Sequence, residues 1–201
     1  MTKKNRDAIE DKIRMIERKS SVEYVTCFVA QSSNYASYRG LLAGFAAFFA
    51  LASFRFFAFD VSVLVEFAVA SLVAVLVFWV TNIPLVLSTL LPPALKQAEV
   101  LEAAHGTFLR EEVFATRERT GVLVFVSELE QAVFVLADKG LRAKVKDAEW
   151  AELAQRLAQD LRRDDPGPTF LEALDSLSTR LATDFPPSAD NPNELSDHMR
   201  S

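Results

Sequence analysis

The chain has 201 residues and a formal net charge of −5, from 22 Lys and Arg against 27 Asp and Glu. A mild acidic balance without a clustered basic face argues against a nucleic-acid-binding protein. The chain has one cysteine, which excludes an intrachain disulfide and gives no sign of an oxidising compartment. We expect this residue, Cys27, to be a small core residue of a buried strand.

The N-terminal segment, residues 1–38, reads as an amphipathic helix followed by a strand. Three isoleucines between residues 9 and 16 recur at helical spacing, and the basic residues around them face either solvent or anionic lipid headgroups. The β-branched and aromatic run Ser21–Ala30 has no helical period and predicts a buried strand. In the polar loop 31–40, Tyr35 and Tyr38 lie where interfacial membrane anchors are expected.

Two apolar runs meet at Asp60. Leu41–Phe59 contains one charged residue, Arg55, and Val61–Val80 contains one, Glu66. Each run is close to the ~20 residues that cross a hydrocarbon core, so residues 39–91 predict a transmembrane helical hairpin with a tight turn at Phe59-Asp60. The hairpin begins too far along the chain for a cleaved signal segment, and we expect it to be retained.

The two intramembrane charges lie at similar distances from the turn. Arg55 precedes Asp60 by five residues and Glu66 follows it by six, which places both roughly 8 Å from the turn in antiparallel helices. They would form an ion pair, or Arg55 would snorkel to the far interface while Glu66 faces a partner. Two polar groups are too few for an ion pathway, so we do not expect transport by this chain alone.

Residues 92–201 predict further helices and a β-hairpin. The step Thr81–Pro84 interrupts the second span, and Leu85–Leu91 finishes it at an angle or lies in the interface. The remaining predictions are a helix from about Ala94 to Arg117, strands at Thr120–Leu129 and Glu130–Ala137, a turn at Asp138-Lys139-Gly140, a helix from about Asp147, a last helix capped by Thr169 with Glu172, and an irregular tail from Pro186.

The distribution of basic residues predicts the orientation of the hairpin. Eight Lys or Arg residues precede the first span and four lie between the second span and Thr120, whereas the turn region has only Arg55. Both flanks are therefore expected in the cytoplasm. A lone strand at Ser21–Ala30 also needs partners, which the two later strands provide. The hairpin is thus expected to be an insertion that splits a single α/β domain.

From Arg119 onward the chain resembles the TPM domain family. The residues that carry the resemblance are the Gly-Val-Leu strand 120–126, the return strand 132–137, Asp138-Lys139-Gly140-Leu141 at the family's glycine turn, the two closing helices 150–181 and the tail 185–195, which is similar to short membrane-bound bacterial members. Residues 13–30 resemble the family's first helix and strand. The family's double-glycine turn is reduced here to Gly140, and Thr120, preceded by Arg119, stands where an acidic residue is often found.

The resemblance implies an α/β fold, a three-layer sandwich whose small central sheet is flanked by helices, here interrupted by the transmembrane hairpin. It also implies a bacterial inner-membrane protein. Some members of the family are described as phosphatases, some bind calcium, and others are accessory subunits or repair factors.

The residues themselves show little chemistry. No phosphate-cradling glycine loop and no His/Cys metal spacing is present, and His105 and His198 are far apart. Oxygen ligands for Ca²⁺ would come from Asp138, together with either Glu128 or the tail residues Asp190, Asn193 and Glu194. The alternative is that Asp138 caps a turn and the tail is a solvated surface.

The sequence therefore predicts a membrane-anchored TPM-like domain that acts as an accessory or adaptor module in membrane-protein assembly or maintenance. Its expected partners are the lipid bilayer, another membrane protein or a second copy of the chain. The alternatives are a weak metal-dependent phosphatase near the membrane, and a subunit of a larger channel or transporter.

Overall fold

The computed structural model describes residues 11–17, 19–57, 61–160, 166–187 and 195. The chain divides into two compact units. The α/β unit comprises Met1–Ser32 and Pro93–Ser201, and the hairpin unit comprises Ser33–Pro92. The chain thus leaves the α/β unit, builds the hairpin unit and returns to the α/β unit.

The described residues form a mixed α/β structure that is mostly helical. The helices are α1 (residues 11–17), α2 (Ala36–Phe56), α3 (Val63–Val80), α4 (Pro84–Leu90), α5 (Pro93–Arg110), α6 (Lys139–Arg142), α7 (Asp147–Asp160) and α8 (Pro166–Asp184), with a 3₁₀ turn at Val113–Ala115. The strands are β1 (Glu23–Val29), β2 (Gly121–Ser127) and β3 (Ala132–Ala137).

The three strands form one sheet in the order β1-β2-β3. β1 pairs in parallel with β2, with Cys27 opposite Phe125, and β2 pairs in antiparallel with β3. All of β2 is buried because it is the middle strand. The strand before the hairpin therefore has its hydrogen-bonding partner after the hairpin, as an isolated strand requires.

Alternate residues of the strands belong to two separate apolar clusters, because successive side chains of a strand point to opposite faces. Tyr24 and Val124 lie in the cluster that contains buried side chains of α1, α7 and α8. Val25 and Leu123 lie in the other, with residues of α5. Cys27 is 5% exposed in this second cluster, which confirms its predicted place in the core.

The helix after the hairpin ends earlier than predicted. α5 stops at Arg110, whereas the sequence predicts a helix to Arg117. Glu112 has φ of 50°, in the left-handed region that interrupts helices, and Val113 then turns into the core. No glycine marks this end, so the residue types do not indicate it.

Two local predictions in the C-terminal half are wrong. The segment after β3 is the short helix α6 with Asp138 as its N-cap, not a simple turn. α8 begins at Pro166, so Thr169 lies inside the helix and cannot be its N-cap. Proline is favoured in the first turn because its missing N–H has no helical partner there.

The hairpin unit consists of α2, α3 and α4. α2 and α3 are both long and apolar enough to cross a membrane, with mean hydropathies of 1.3 and 2.6, and little of either is buried. α2 begins at Ala36, so residues predicted as the end of a loop are helical. The predicted turn at Phe59-Asp60 lies outside the described residues. The helix is interrupted after Val80, as predicted. The side chains of Thr81 and Asn82 both donate hydrogen bonds to the carbonyl of Phe78, and a new helix, α4, begins at Pro84.

Candidate functional site

The hairpin unit contains an ion pair between its two long helices. Arg55 of α2 donates to the carboxylate of Glu66 of α3. The Glu66 side chain is only 4% exposed, whereas that of Arg55 is 69% exposed. Arg55 is next to last in α2 and Glu66 is fourth in α3, so the pair lies near the turn end of the hairpin. There the exposed guanidinium pairs with the buried carboxylate of Glu66.

Polar contacts join the other end of the hairpin unit. The hydroxyl of Tyr38 donates to the carbonyl of Leu90 at 2.8 Å, and Arg39 donates to Asn82 at 3.3 Å. Tyr35, the N-cap residue of α2, is 3% exposed, so protein rather than lipid surrounds its ring. Tyr38 is thus the better placed of the two predicted interfacial tyrosines.

Asp138 directly follows β3, at the end of the sheet where β2 begins. Its N–H donates to the carbonyl of Gly121 at 2.9 Å, and the residue is 5% exposed. Its carboxylate accepts from Arg119 Nε at 2.6 Å, from Arg119 Nη2 at 3.0 Å and from the N–H of Lys139 at 2.7 Å. A bidentate contact between a guanidinium and a carboxylate combines two charge-assisted hydrogen bonds, each roughly twice as strong as a neutral one. It raises the pKa of Arg119, which stays charged.

The backbone around Asp138 is tightly arranged. Arg119 has φ of 59°, and its carbonyl accepts from the N–H of Gly140 at 2.9 Å. A Cβ at Gly140 would lie 2.4 Å from the carbonyl oxygen of Glu118, so only glycine fits this close approach. A Cβ at Gly121 would lie 2.0 Å from the carbonyl oxygen of Val113. Steric contacts within this chain therefore account for glycine at both positions.

A cavity of about 820 Å³ opens beside Asp138. Its apolar wall includes Phe108 of α5 and Leu136 of β3. Its polar wall consists of His105, Asp138, Lys139, Arg142, Lys146 and Asp147. The cavity therefore combines apolar surface, which is typical of ligand sites, with more charged groups than such sites usually contain.

The charges of the cavity are unequally paired. Asp138 is held by Arg119, and Asp147 accepts from Arg142 Nε and Nη2, both at 3.1 Å. Lys139 and Lys146 have no ion-pair partner in the part of the chain that the structure describes. Counting the described residues, two ammonium groups of this cavity thus remain without a compensating carboxylate, which favours anions over cations.

The structure does not bring the predicted metal ligands Asp138 and Glu128 together. Glu128 follows β2 and is exposed, whereas Asp138 follows β3, at the opposite end of these paired strands, about 20 Å away. Among the described residues no group of three or more His, Cys, Asp or Glu could hold a metal. Asp190, Asn193 and Glu194 lie outside the described residues, as does His198, so a Ca²⁺ site that includes the tail stays a prediction.

The adjacent tail residue Leu195 is described. Its N–H donates to a carboxylate oxygen of Glu23 at 3.3 Å, at the start of β1. Glu23 pairs with Gly121, so this contact lies on the same sheet edge as Asp138, two strands or roughly 10 Å away.

Sequence reasoning missed another buried carboxylate, Glu130, at the opposite end of the sheet from Asp138. Ser127 donates its hydroxyl to Glu130, and the N–H of Ser32 donates to Glu130 Oε1 at 3.1 Å. Glu130 is 5% exposed and ties the end of β1 to the β2–β3 turn. A charged residue in a predicted turn gives no signal of such burial, because Ser32, one of the two residues that donate to Glu130, is 98 residues away in the sequence.

No protein-family model matches the chain, and no curated protein matches it significantly. Among solved structures, the chain is similar in fold to the NMR structure of the BA42 protein from the psychrophilic bacterium Bizionia argentinensis. The TM-score is 0.60 at 15% identity, over 100% of this chain and 94% of that chain. At this identity the likeness concerns the fold alone.

Proposed function

We propose that the chain is a membrane-anchored TPM-like domain that acts as an accessory module in the assembly or maintenance of membrane proteins. The pairing of β1 with β2 carries this proposal. It connects both ends of the hairpin to one folded unit, so a membrane-inserted hairpin keeps that unit at the bilayer. A domain held in this way acts on neighbours within the membrane more readily than on soluble partners.

The membrane assignment is supported by the composition of α2 and α3. Both are apolar and largely exposed, with Phe48 63% and Leu64 82% exposed, as expected for side chains in contact with lipid. The excess of Lys and Arg before α2 and after α3 supports an orientation with both termini in the cytoplasm, in a bacterial inner membrane.

The family assignment is supported by the order of elements, a helix and strand before the hairpin and a β-hairpin and two helices after it. Two apolar clusters, each with its own helices and alternate residues of the same strands, support a three-layer arrangement.

Cross-linking in cells, followed by affinity isolation of the full chain from membranes in mild detergent, tests the proposed function. We expect one membrane protein to be recovered in a stoichiometric amount, or a second copy of the chain. An unrelated tagged two-span protein at the same expression level is the control, and proteins recovered with both are discarded.

The rival function is a metal-dependent phosphatase, which the cavity beside Asp138 favours. Recovery of the chain alone, together with turnover of p-nitrophenyl phosphate in Ca²⁺ or Mg²⁺ that Asp138→Asn removes, would contradict the accessory function. A partner that proves to be a channel or transporter would instead make the chain a subunit of that complex.

A further inference from the structure

We propose that the cavity beside Asp138 binds the phosphate group of an anionic phospholipid, held by Lys139 and Lys146. The inference rests on the proposed membrane anchoring and assigns a ligand class to this cavity. It differs from the cation site that the acidic residues of the sequence predict.

The charged groups of the cavity favour binding of an anion over binding of a cation. A metal ion at Asp138 would have to displace Arg119, whose guanidinium already makes two hydrogen bonds to the carboxylate. An anion meets no such competitor, because the ammonium groups of Lys139 and Lys146 have no ion-pair partner within the described ranges. A phosphate oxygen accepts charge-assisted hydrogen bonds from both.

The remaining walls fit an amphipathic ligand. Phe108 and Leu136 offer apolar surface beside the charged groups, and His105 adds a further hydrogen-bonding side chain. The volume of about 820 Å³ is large enough for a headgroup with the first carbons of its chains, since drug-sized ligands occupy ~300–1,000 Å³. Inorganic phosphate would leave most of this space unfilled.

The proposed membrane anchoring of the chain favours a lipid headgroup over a soluble molecule as the source of the phosphate ester. A domain tethered to a bilayer meets headgroups at a high effective concentration, and anionic lipids attract nearby lysines by about 1 kcal/mol per charge. A soluble phosphate ester has the same chemistry without this advantage. The shared chemistry is the phosphate ester, and the experiment separates its two sources.

The test uses the full chain in phosphatidylcholine nanodiscs. Dihexanoyl phosphatidylglycerol, dihexanoyl phosphatidylcholine, glycerol phosphate and CaCl₂ are titrated separately by calorimetry, with empty nanodiscs subtracted. We expect phosphatidylglycerol to bind at least about tenfold more tightly than the other two organic ligands, which corresponds to ~1.4 kcal/mol.

The variants Lys139→Gln and Lys146→Gln are each expected to weaken phosphatidylglycerol binding by about fivefold to tenfold, the loss of one charged hydrogen bond. Lys96→Gln is the matched control, because it removes the same charge from α5 outside the cavity. We expect its binding to stay within about twofold of the parent.

Equal binding of phosphatidylglycerol and phosphatidylcholine, or variants that bind like the parent, would overturn the proposal. Glycerol phosphate that binds as tightly as phosphatidylglycerol would overturn the lipid assignment and favour a soluble ester. Calcium binding that Asp138→Asn abolishes would overturn the charge argument. Alkaline carbonate extraction of membranes from the cells that produce the chain distinguishes failure of the anchor from failure of the ligand site.

Discussion

Gly140 lies where two segments of the α/β unit approach each other closely. A Cβ there would meet the carbonyl oxygens of Glu118 at 2.4 Å and Arg119 at 2.7 Å. The same backbone carries the Arg119 side chain that closes Asp138. Because these neighbours are main-chain atoms, they cannot rotate away from an added methyl group, and the whole edge of the sheet would have to shift.

Gly140→Ala is therefore expected to lower the free energy of unfolding of the α/β unit by about 2 kcal/mol or more. Urea unfolding of the full chain in detergent measures it through Trp150, in a Trp79→Phe background that removes the other tryptophan.

The control is Gly106→Ala, in the exposed middle of α5, where an added Cβ meets only Arg110 Nη2 at 3.9 Å. It is expected to stabilise the chain by ~0.5–1 kcal/mol, from helix propensity. Equal effects of the two substitutions would contradict the steric account.

The ion pair between Lys12 and Asp175 makes stability depend on pH. The hydrogen bond from Lys12 Nζ, at 2.6 Å, lowers the pKa of Asp175 below its ordinary 3.8. A carboxyl whose pKa is lower in the folded state than in the unfolded state stabilises the folded state. This contribution is fully present above pH 3.8, the ordinary pKa of the carboxyl, and is lost as the pH falls through the lowered pKa of the folded state.

Asp175→Asn should thus reduce the urea midpoint slightly at neutral pH, since the pair is on the surface. The difference from the parent should vanish once the pH falls below the lowered folded-state pKa of Asp175. A difference that persists there would show that the carboxyl acts through something other than its charge.

Single residues divide into those that sequence patterns indicate and those that they do not. The turn residues Asp138 and Gly140 can be recognised in the sequence, and Asp138 is the N-cap of α6. Its pairing with Arg119 is not visible, because it depends on tertiary folding that brings residues 19 positions apart together. The predicted calcium ligands Glu128 and Asp138 failed to meet for the same reason, since only the strand register places them at opposite ends.

At the scale of elements, the ion pair between α2 and α3 is the contact that the sequence predicts best. A helical rise of about 1.5 Å per residue places Arg55 and Glu66 at one depth without knowledge of side-chain packing. The end of α5 at Arg110 is the contrary case, because Glu112 adopts a left-handed conformation that its residue type does not favour.

Removing Arg55 alone should destabilise the hairpin more than removing both charges. Arg55→Ala leaves Glu66, 4% exposed, as an uncompensated charge near lipid, at a cost of about 2 kcal/mol. The double variant Arg55→Ala/Glu66→Gln should recover most of that loss. Thermal unfolding followed by circular dichroism in nanodiscs measures both, and additive losses would contradict the pair.

The β1–β2 register predicts a disulfide between two segments that lie on either side of the hairpin. Cys27 is opposite Phe125, and adjacent strands are about 4.8 Å apart, within the ~4.4–6.8 Å range of bridged Cα atoms. Phe125→Cys should cross-link to Cys27 on mild oxidation of the purified chain, seen as faster migration in a non-reducing gel.

Val124→Cys is the control, because its side chain points to the opposite face of the sheet from Cys27. A bridge at position 124 and none at 125 would contradict the register.

For the whole molecule, the composition of the spans and the lone first strand together predicted an interrupted α/β domain. The structure shows the strand pairing and two apolar helices between the paired strands. The packing of helices on the sheet was less predictable, because α1 shares one cluster with α7 and α8, which lie more than 100 residues later in the chain.

The most direct test of the interrupted domain is the compartment of each end of the chain. A fluorescent protein that matures only in the cytoplasm, and alkaline phosphatase that is active only outside it, are fused at residue 1, after Phe57 at the end of α2, and at residue 201. We predict cytoplasmic signals at both ends and phosphatase activity after Phe57. Ends that report opposite compartments would contradict the account, because β1 and β2 could not then share one sheet.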